Sequence, residues 1–374
     1  MMALPLLLGL YLIFRSPPHE SGAPKGIKAP VYEEVYALHS SLHNTVRKID
    51  RTIYESLYRI GTSERDVVFP DVQPRHENGE VWEYTEILVH CRDKPSARAL
   101  YKSLIQNLRA LGKSISLKET TGFKDQFICR VLVGNKLTHK VALAFAEKKM
   151  PYADRRPRVA IIIDDMGYDI EIARAFFELT LPFSFSFLPK GPFTEKTVGE
   201  IRQRGCDIML HLPMEPKNYP SVDPGPGALM LSMNEQEMRN TIEQDLKDVP
   251  GAKGVNNHMG SSFTENREKM VTVLKALKEK ELFFVDSRTT ANTVALKLAR
   301  QMGVSATRRH VFLDNNRDVE AMRYQMERLI GMSRQKGAAV GIAHPHEETL
   351  HILKKFRHIL ENEVHLVPVS TLVH

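Results

Sequence analysis

The sequence predicts an α/β protein: a (β/α) barrel of about seven parallel strands behind a smaller N-terminal α+β domain. Three observations carry this reading. At 374 residues the chain exceeds what one hydrophobic core usually fills. From Arg158 onward, short apolar strands alternate with amphipathic helices, the pattern of successive parallel units. Just before Arg158 lies a charged, proline-punctuated stretch, EKKMPYADRRPR, which suits an exposed boundary between domains.

The elements follow in order. Met1 to Phe14 is almost wholly apolar and is followed by Arg15 and the polar stretch SPPHESGAPKGIKAP. Fourteen residues are few for a bilayer span, and no positive segment precedes them. Residues 1–30 are therefore expected to be an export signal or membrane anchor plus linker, which places the chain outside the cytoplasm, tethered or released. Residues 31–150 form the smaller domain. An apolar stripe through Val35, Leu42, Val46, Ile49, Ile53 and Leu57 predicts a helix from about Val31 to Ile60, stopped by Gly61. A loop with Pro70, Pro74 and Gly79 leads to the strand VWEYTEILVH. A helix from Ser96 to Leu111 closes at Gly112, and strands follow near Ser114–Lys118, Gln126–Val133 and Val141–Phe145. No polar cluster with ligand spacing appears in this domain.

The barrel spans residues 158–374. Its strands are VAIII, FSFSFLP, CDIMLHLPME, GVNNHMGSS, LFFVDSRTT, VSATRRHVFLDNN and AAVGIAHPHEE. Helices lie between them, and Ser232 with Glu235 supplies a capping box for the one ending near Val249. Seven such units favour a closed or nearly closed barrel, with an open doubly wound sheet as the alternative. In either case function collects at the carboxyl ends of the strands.

Composition narrows the function. The net charge of +7 is spread along the chain, and no basic run alternates with aromatics, which argues against a nucleic-acid surface. Three scattered cysteines form no zinc motif, although Cys91 and Cys129 fall in one domain and could pair. There is no P-loop, GxSxG elbow, HExxH helix or dinucleotide fingerprint.

Polar residues stand where each strand ends: Asp164 and Asp165, His211 and Glu215, Asn257 and His258, Asp286 and Arg288, Asp314, then His344 and His346. Several titratable groups on one end of one parallel sheet make a catalytic rim. A carboxylate with two or three further donors makes an open divalent metal site. A second carboxylate beside it can accept a proton from water, and a separate histidine can protonate a leaving amine. That constellation hydrolyses amides or esters.

The ordered segments RVAIIIDDMG, LPFSFSFLPKGP, IMLHLPMEP, GVNNHMGSSFT, LFFVDSRTT and GIAHPHEET closely resemble the divergent polysaccharide deacetylase family, a distant branch of the NodB-type carbohydrate esterases. The resemblance covers roughly Arg158 to His374. It implies a distorted NodB-like (β/α) barrel and a divalent metal, zinc by expectation. The substrate it implies is a polysaccharide or other glycan. Carried over, the NodB pattern makes Asp164 the general base, Asp165 and His211 metal ligands, and His344 the leaving-group acid, with His346 the second candidate for that role. Where that pattern has a second histidine this chain has Glu215. Either Glu215 replaces it or His258 supplies the missing nitrogen, and imidazole at a strand end favours His258. Asp286 and Arg288 are expected to orient the base and acid, Glu215 is also a candidate substrate contact, and Asp314 reads as a helix cap. The alternative to an enzyme is a barrel that binds envelope glycan without turnover.

Overall fold

The computed structural model describes residues 41–59, 62, 66–77, 80–122, 126–145 and 156–374. The apolar start, the first turns of the expected first helix, Gly61 and most of the EKKMPYADRRPR linker lie outside them. Among the described residues no helix is long and apolar enough to cross a membrane.

Helix α1 (Ser41–Arg59) buries the predicted stripe of Leu42, Val46, Ile49, Ile53 and Leu57. Helix α2 (Lys94–Arg109) starts where the Asp93 side chain accepts a hydrogen bond from the Ser96 N–H. Both pack with a five-stranded sheet built of β1 (Val67–Glu77), β2 (Glu80–His90), β3 (Ile115–Thr121), β4 (Phe127–Val133) and β5 (Lys136–Ala144), in the order β1-β2-β5-β4-β3. The segment with Pro70 and Pro74, expected as a loop, is strand β1. It lies at the sheet edge, where a missing N–H costs no ladder bond on the open side, and Pro70 falls in a register slip between Val68 and Asp71. Cys91 and Cys129 do not pair; both are free thiols.

The barrel begins with β6 (Arg158–Met166) and continues with β7 (Ser184–Phe187), β8 (Asp207–Met214), β9 (Gly254–Met259) and β10 (Phe283–Asp286). Every one of these pairs is parallel. The segment read as one sixth strand is in fact two, β11 (Ala306–Arg308) and β12 (Val311–Phe312). β11 pairs with β10, while β12 pairs with β13 (Ala338–Ala343), which returns to β6. The sheet thus curls until its two edges are joined by Arg309 and His310 alone. Their N–H groups donate to the carbonyls of Asp286 and Val340 respectively, so the closure is covalent, not a hydrogen-bonded ladder. A short β14 (His365–Leu366) also pairs with β6. The cap of the helix Glu235–Asp248 is formed by Asn234 and Glu237, two residues beyond the expected pair.

The smaller sheet meets the barrel at the helix Val319–Lys336. Arg328 is 1% exposed there and pairs with Glu83 Oε1 at 2.5 Å; the Tyr324 hydroxyl donates to Asp50 at 3.2 Å. Gly331 lets Phe69 approach, since a Cβ there would lie 3.2 Å from its ring. Removing one member of a buried ion pair strands the other charge. Glu83→Ala should therefore destabilise the chain by about 3–5 kcal/mol, read from urea unfolding. Glu80→Ala, which breaks a solvent-screened pair with Lys136, should change it little.

Candidate active site

Alternation along the strands decides which polar side chains meet. In β6, Val159, Ile161 and Ile163 pack in the layer beneath the helices, while Ala160 and Ile162 pack in the barrel interior. Asp164 continues the interior set. By the same parity Asp165 would face the helices. However, the ladder slips between Ile163 and Met166, and Asp165 takes a φ of 51°. The bulge turns the second carboxylate back inward, and aspartate is one of the few residues that tolerates a left-handed backbone. Gly167 follows with φ 112°, and a Cβ there would lie 2.1 Å from Thr194 Oγ1, so only glycine fits.

The other strands obey simple alternation. Interior Met209 sets His211 inward, and Val255, facing the helices, sets Asn256 and His258 inward. Interior Phe312 and Ile342 likewise set Asp314 and His344 inward. All seven residues, Asp164 and Asp165 included, are buried.

Three of them form a compact donor set. Asp165 Oδ1 lies 3.1 Å from His211 Nε2 and 3.1 Å from His258 Nδ1, and the two nitrogens are 3.3 Å apart. Donors about 2.0–2.2 Å from a common ion, at coordination angles of about 90–110°, stand about 2.8–3.6 Å from one another. Both Asp165 oxygens are buried without a well-formed hydrogen bond among the described residues. Despite burial, His258 and His211 hold the Asp165 carboxyl well below the ordinary carboxylate range. His211 Nδ1 bonds the Asn256 side-chain oxygen at 3.1 Å, so it carries the proton and leaves the Nε2 lone pair facing the set. The residues therefore fit a divalent cation.

Asp164 stands beside this set, its Oδ2 3.6 Å from His211 Nε2. Asn256 Nδ2 donates to both Asp164 oxygens, at 3.0 and 2.9 Å. The Asn256 oxygen in turn accepts from Ser186 Oγ at 2.5 Å. Burial raises the Asp164 pKa, with His211 and His344 pulling the other way.

His344 is anchored by Asp314, which accepts from its Nδ1 at 2.8 Å and from its backbone N–H at 2.6 Å. Thr349 Oγ1 donates to the same carboxylate at 2.7 Å. Burial disfavours the imidazolium, but Asp314, reinforced by Asp165 and Asp164, outweighs it and pushes the His344 pKa up to about 10. Asp314 is thus a partner of His344 and no helix cap; Asp318 caps the helix that follows. Sequence reasoning also missed Asn256, although it sits two residues before His258 on the same strand face.

The remaining candidates lie elsewhere. The Glu215 carboxylate accepts from the Leu231 N–H at 2.7 Å and closes its own loop, outside the donor set. Asp286 follows Phe284 on the helix side of β10. It binds the Arg288 N–H, Thr293 Oγ1 and the Leu296 N–H, which organises the loop ahead and does not orient Asp164. Arg288 adopts φ 53° on that loop, with Arg308 nearby, and makes no bond to Asp164 or His344. His346 is the N-cap of the helix Glu347–Asn362, its ring centroid 6.2 Å from that of His344.

Comparison with known proteins agrees with this architecture. Over 215 residues the chain is 33% identical to an uncharacterized protein of Haemophilus influenzae, covering 58% of this chain and 76% of that one. Over 217 residues it is 32% identical to YibQ, an uncharacterized protein of Escherichia coli, covering 58% and 67%. A crystal structure of an uncharacterized Agrobacterium tumefaciens protein superposes with a TM-score of 0.56 at 23% identity, over 60% of this chain and 92% of that one, and shares the barrel fold. The model of the divergent polysaccharide deacetylases matches residues 161–373, a span that holds every residue of the site, and the chain belongs to that family.

Proposed function

We propose that the barrel is a metal-dependent hydrolase that removes N- or O-acetyl groups from an envelope polysaccharide or peptidoglycan-type glycan. The observation that carries this reading is the convergence of Asp165, His211 and His258 beside a second carboxylate, with an aspartate-anchored histidine on the same interior face. A divalent ion, by expectation zinc, would supply Lewis acidity and acidify water near neutral pH. Asp164, oriented by Asn256, accepts the proton of the attacking water. His344, kept protonated by Asp314, returns a proton to the departing amine or alcohol.

The sign of the pH dependence follows. His344 is charged below about pH 10 and loses its proton above it, so the alkaline limb of kcat/KM reports this group. Asp314→Asn removes the charge that holds the proton and should move that limb down by about 1–3 pH units. A pH–rate profile of the variant checks it.

Acetate release from acetylated chito-oligosaccharides and peptidoglycan fragments tests the reading. Metal-loaded protein should release acetate. Well-folded, metal-loaded protein that binds glycan without releasing acetate would instead be the glycan-binding barrel, a reading supported by Glu215 standing where NodB relatives have histidine. We also propose that the chain lies outside the cytoplasm, tethered or released, a reading supported by the apolar segment and polar linker of residues 1–30. Fused to a reporter active only after export, those residues should yield signal; a silent reporter would overturn the location.

A further inference from the structure

We infer that the junction between the smaller sheet domain and the barrel is a binding cleft for an acidic glycan strand, one that bears carboxylates along its sugars. The inference rests on the proposed function for the glycan class and extends it to a second surface. A cavity of about 570 Å³ lies between α1, the loop after β12 and the first turns of the helix Val319–Lys336. That volume falls in the range of sites for small organic ligands.

The cleft abuts the proposed acid. Phe312 lines it and also stacks on the His344 ring, with centroids 6.0 Å apart at 19°. Asn315, another wall residue, directly follows Asp314, which holds His344. A saccharide lying here therefore reaches the rim on the side where the leaving group is protonated. Tyr54 and Tyr324 also line the cleft, 9% and 7% exposed, among polar walls.

Charge chooses among sugars. Three of the five acidic wall residues are held in ion pairs with arginines, and the other two in hydrogen bonds. Asp50 takes His139 and Tyr324, Glu83 takes Arg328, Glu55 takes Arg51, and Glu320 takes Arg323. Asp318 accepts from the Glu320 and Ala321 N–H groups. Arg47, Lys48 and Arg59 also line the cavity, and none forms an ion pair among the described residues. Arg47 is half-buried, its guanidinium 3.4 Å from the Asn315 carbonyl oxygen, and burial lowers its pKa while Asp50 pulls the other way. A carboxylate would relieve that penalty through a forked, charge-assisted contact. Three cations without an ion pair are thus supplied by α1, the element that the smaller domain contributes to the cleft.

The test is calorimetric titration of the full chain with two tetrasaccharides. One is a peptide-free alternation of N-acetylglucosamine and N-acetylmuramic acid, and the other is chitotetraose, which has the same linkage and N-acetyl groups but no carboxylate. The acidic sugar should bind about tenfold tighter or more at low salt, and the gap should shrink in high salt. Arg47→Ala combined with Lys48→Ala should abolish the preference while leaving metal content unchanged. Lys48→Glu alone, on an exposed position, should weaken the preference without altering the thermal melt. Equal binding of the two sugars, or a preference that survives both variants, would overturn the cleft. Charge-dependent binding without acetate release would leave the cleft standing and refute the deacetylase; acetate release with equal binding would do the reverse.

Discussion

Replacing His211 with alanine should strip stoichiometric metal from the purified chain and abolish hydrolysis while leaving the fold intact. His211 Nε2 is one corner of a triangle of donors whose sides are 3.1, 3.1 and 3.3 Å. Two donors cannot close a tetrahedral site, and the buried Asp165 oxygens would be left without the ion proposed to satisfy them. Metal content per chain, measured after purification without chelator, reads the effect. Protons compete for the same atom. Burial favours neutral His211, but Asp164 and Asp165 outweigh it and raise its pKa. Metal should therefore bind more tightly as pH rises and be lost as pH falls through that range. Wild-type metal content in His211→Ala would remove the site assigned here.

Asp164→Asn and His344→Gln should each lower turnover by about 10²–10⁴ with metal still bound. Neither side chain belongs to the donor triangle, so metal content separates their effect from that of His211→Ala. The asparagine keeps the shape of Asp164 beside Asn256 but cannot take a proton. The glutamine keeps polar contact with Asp314 but cannot carry a charge. The double variant should lose less than the product of the two single losses, because base and acid serve one reaction. If either variant lost its metal or its cooperative unfolding, the residue would be structural and the assignment of roles would fail.

The barrel was legible in the sequence because strands buried on both faces read as continuous apolar runs with polar ends. The donor set was legible for the same reason, since His211 and His258 fall in the carboxyl halves of the neighbouring strands β8 and β9. Local pattern said less about closure. ATRRHVF reads as one β-rich run, yet it divides between opposite edges of the sheet, a choice set by the return of the chain to β6. Alternation alone would also have turned Asp165 outward; only a bulge, which has no sequence signature here, brings the DD pair to one site. Asp314 looked like a cap because aspartate before a helix usually is one. Its partner His344 lies 30 residues away, a separation that no local reading spans. The reading of β1 as a loop followed from its prolines, and their tolerance depended on an edge position that only the assembled sheet defines.

Asp165, His211 and His258 are expected to hold one divalent ion. Anomalous scattering from crystals grown without chelator, recorded on both sides of the zinc absorption edge, tests it most directly. The account predicts a single strong peak about 2.0–2.2 Å from Asp165 Oδ1, His211 Nε2 and His258 Nδ1. A peak liganded by Glu215 in place of His258, or metal-replete protein with no peak at these three residues, would contradict it.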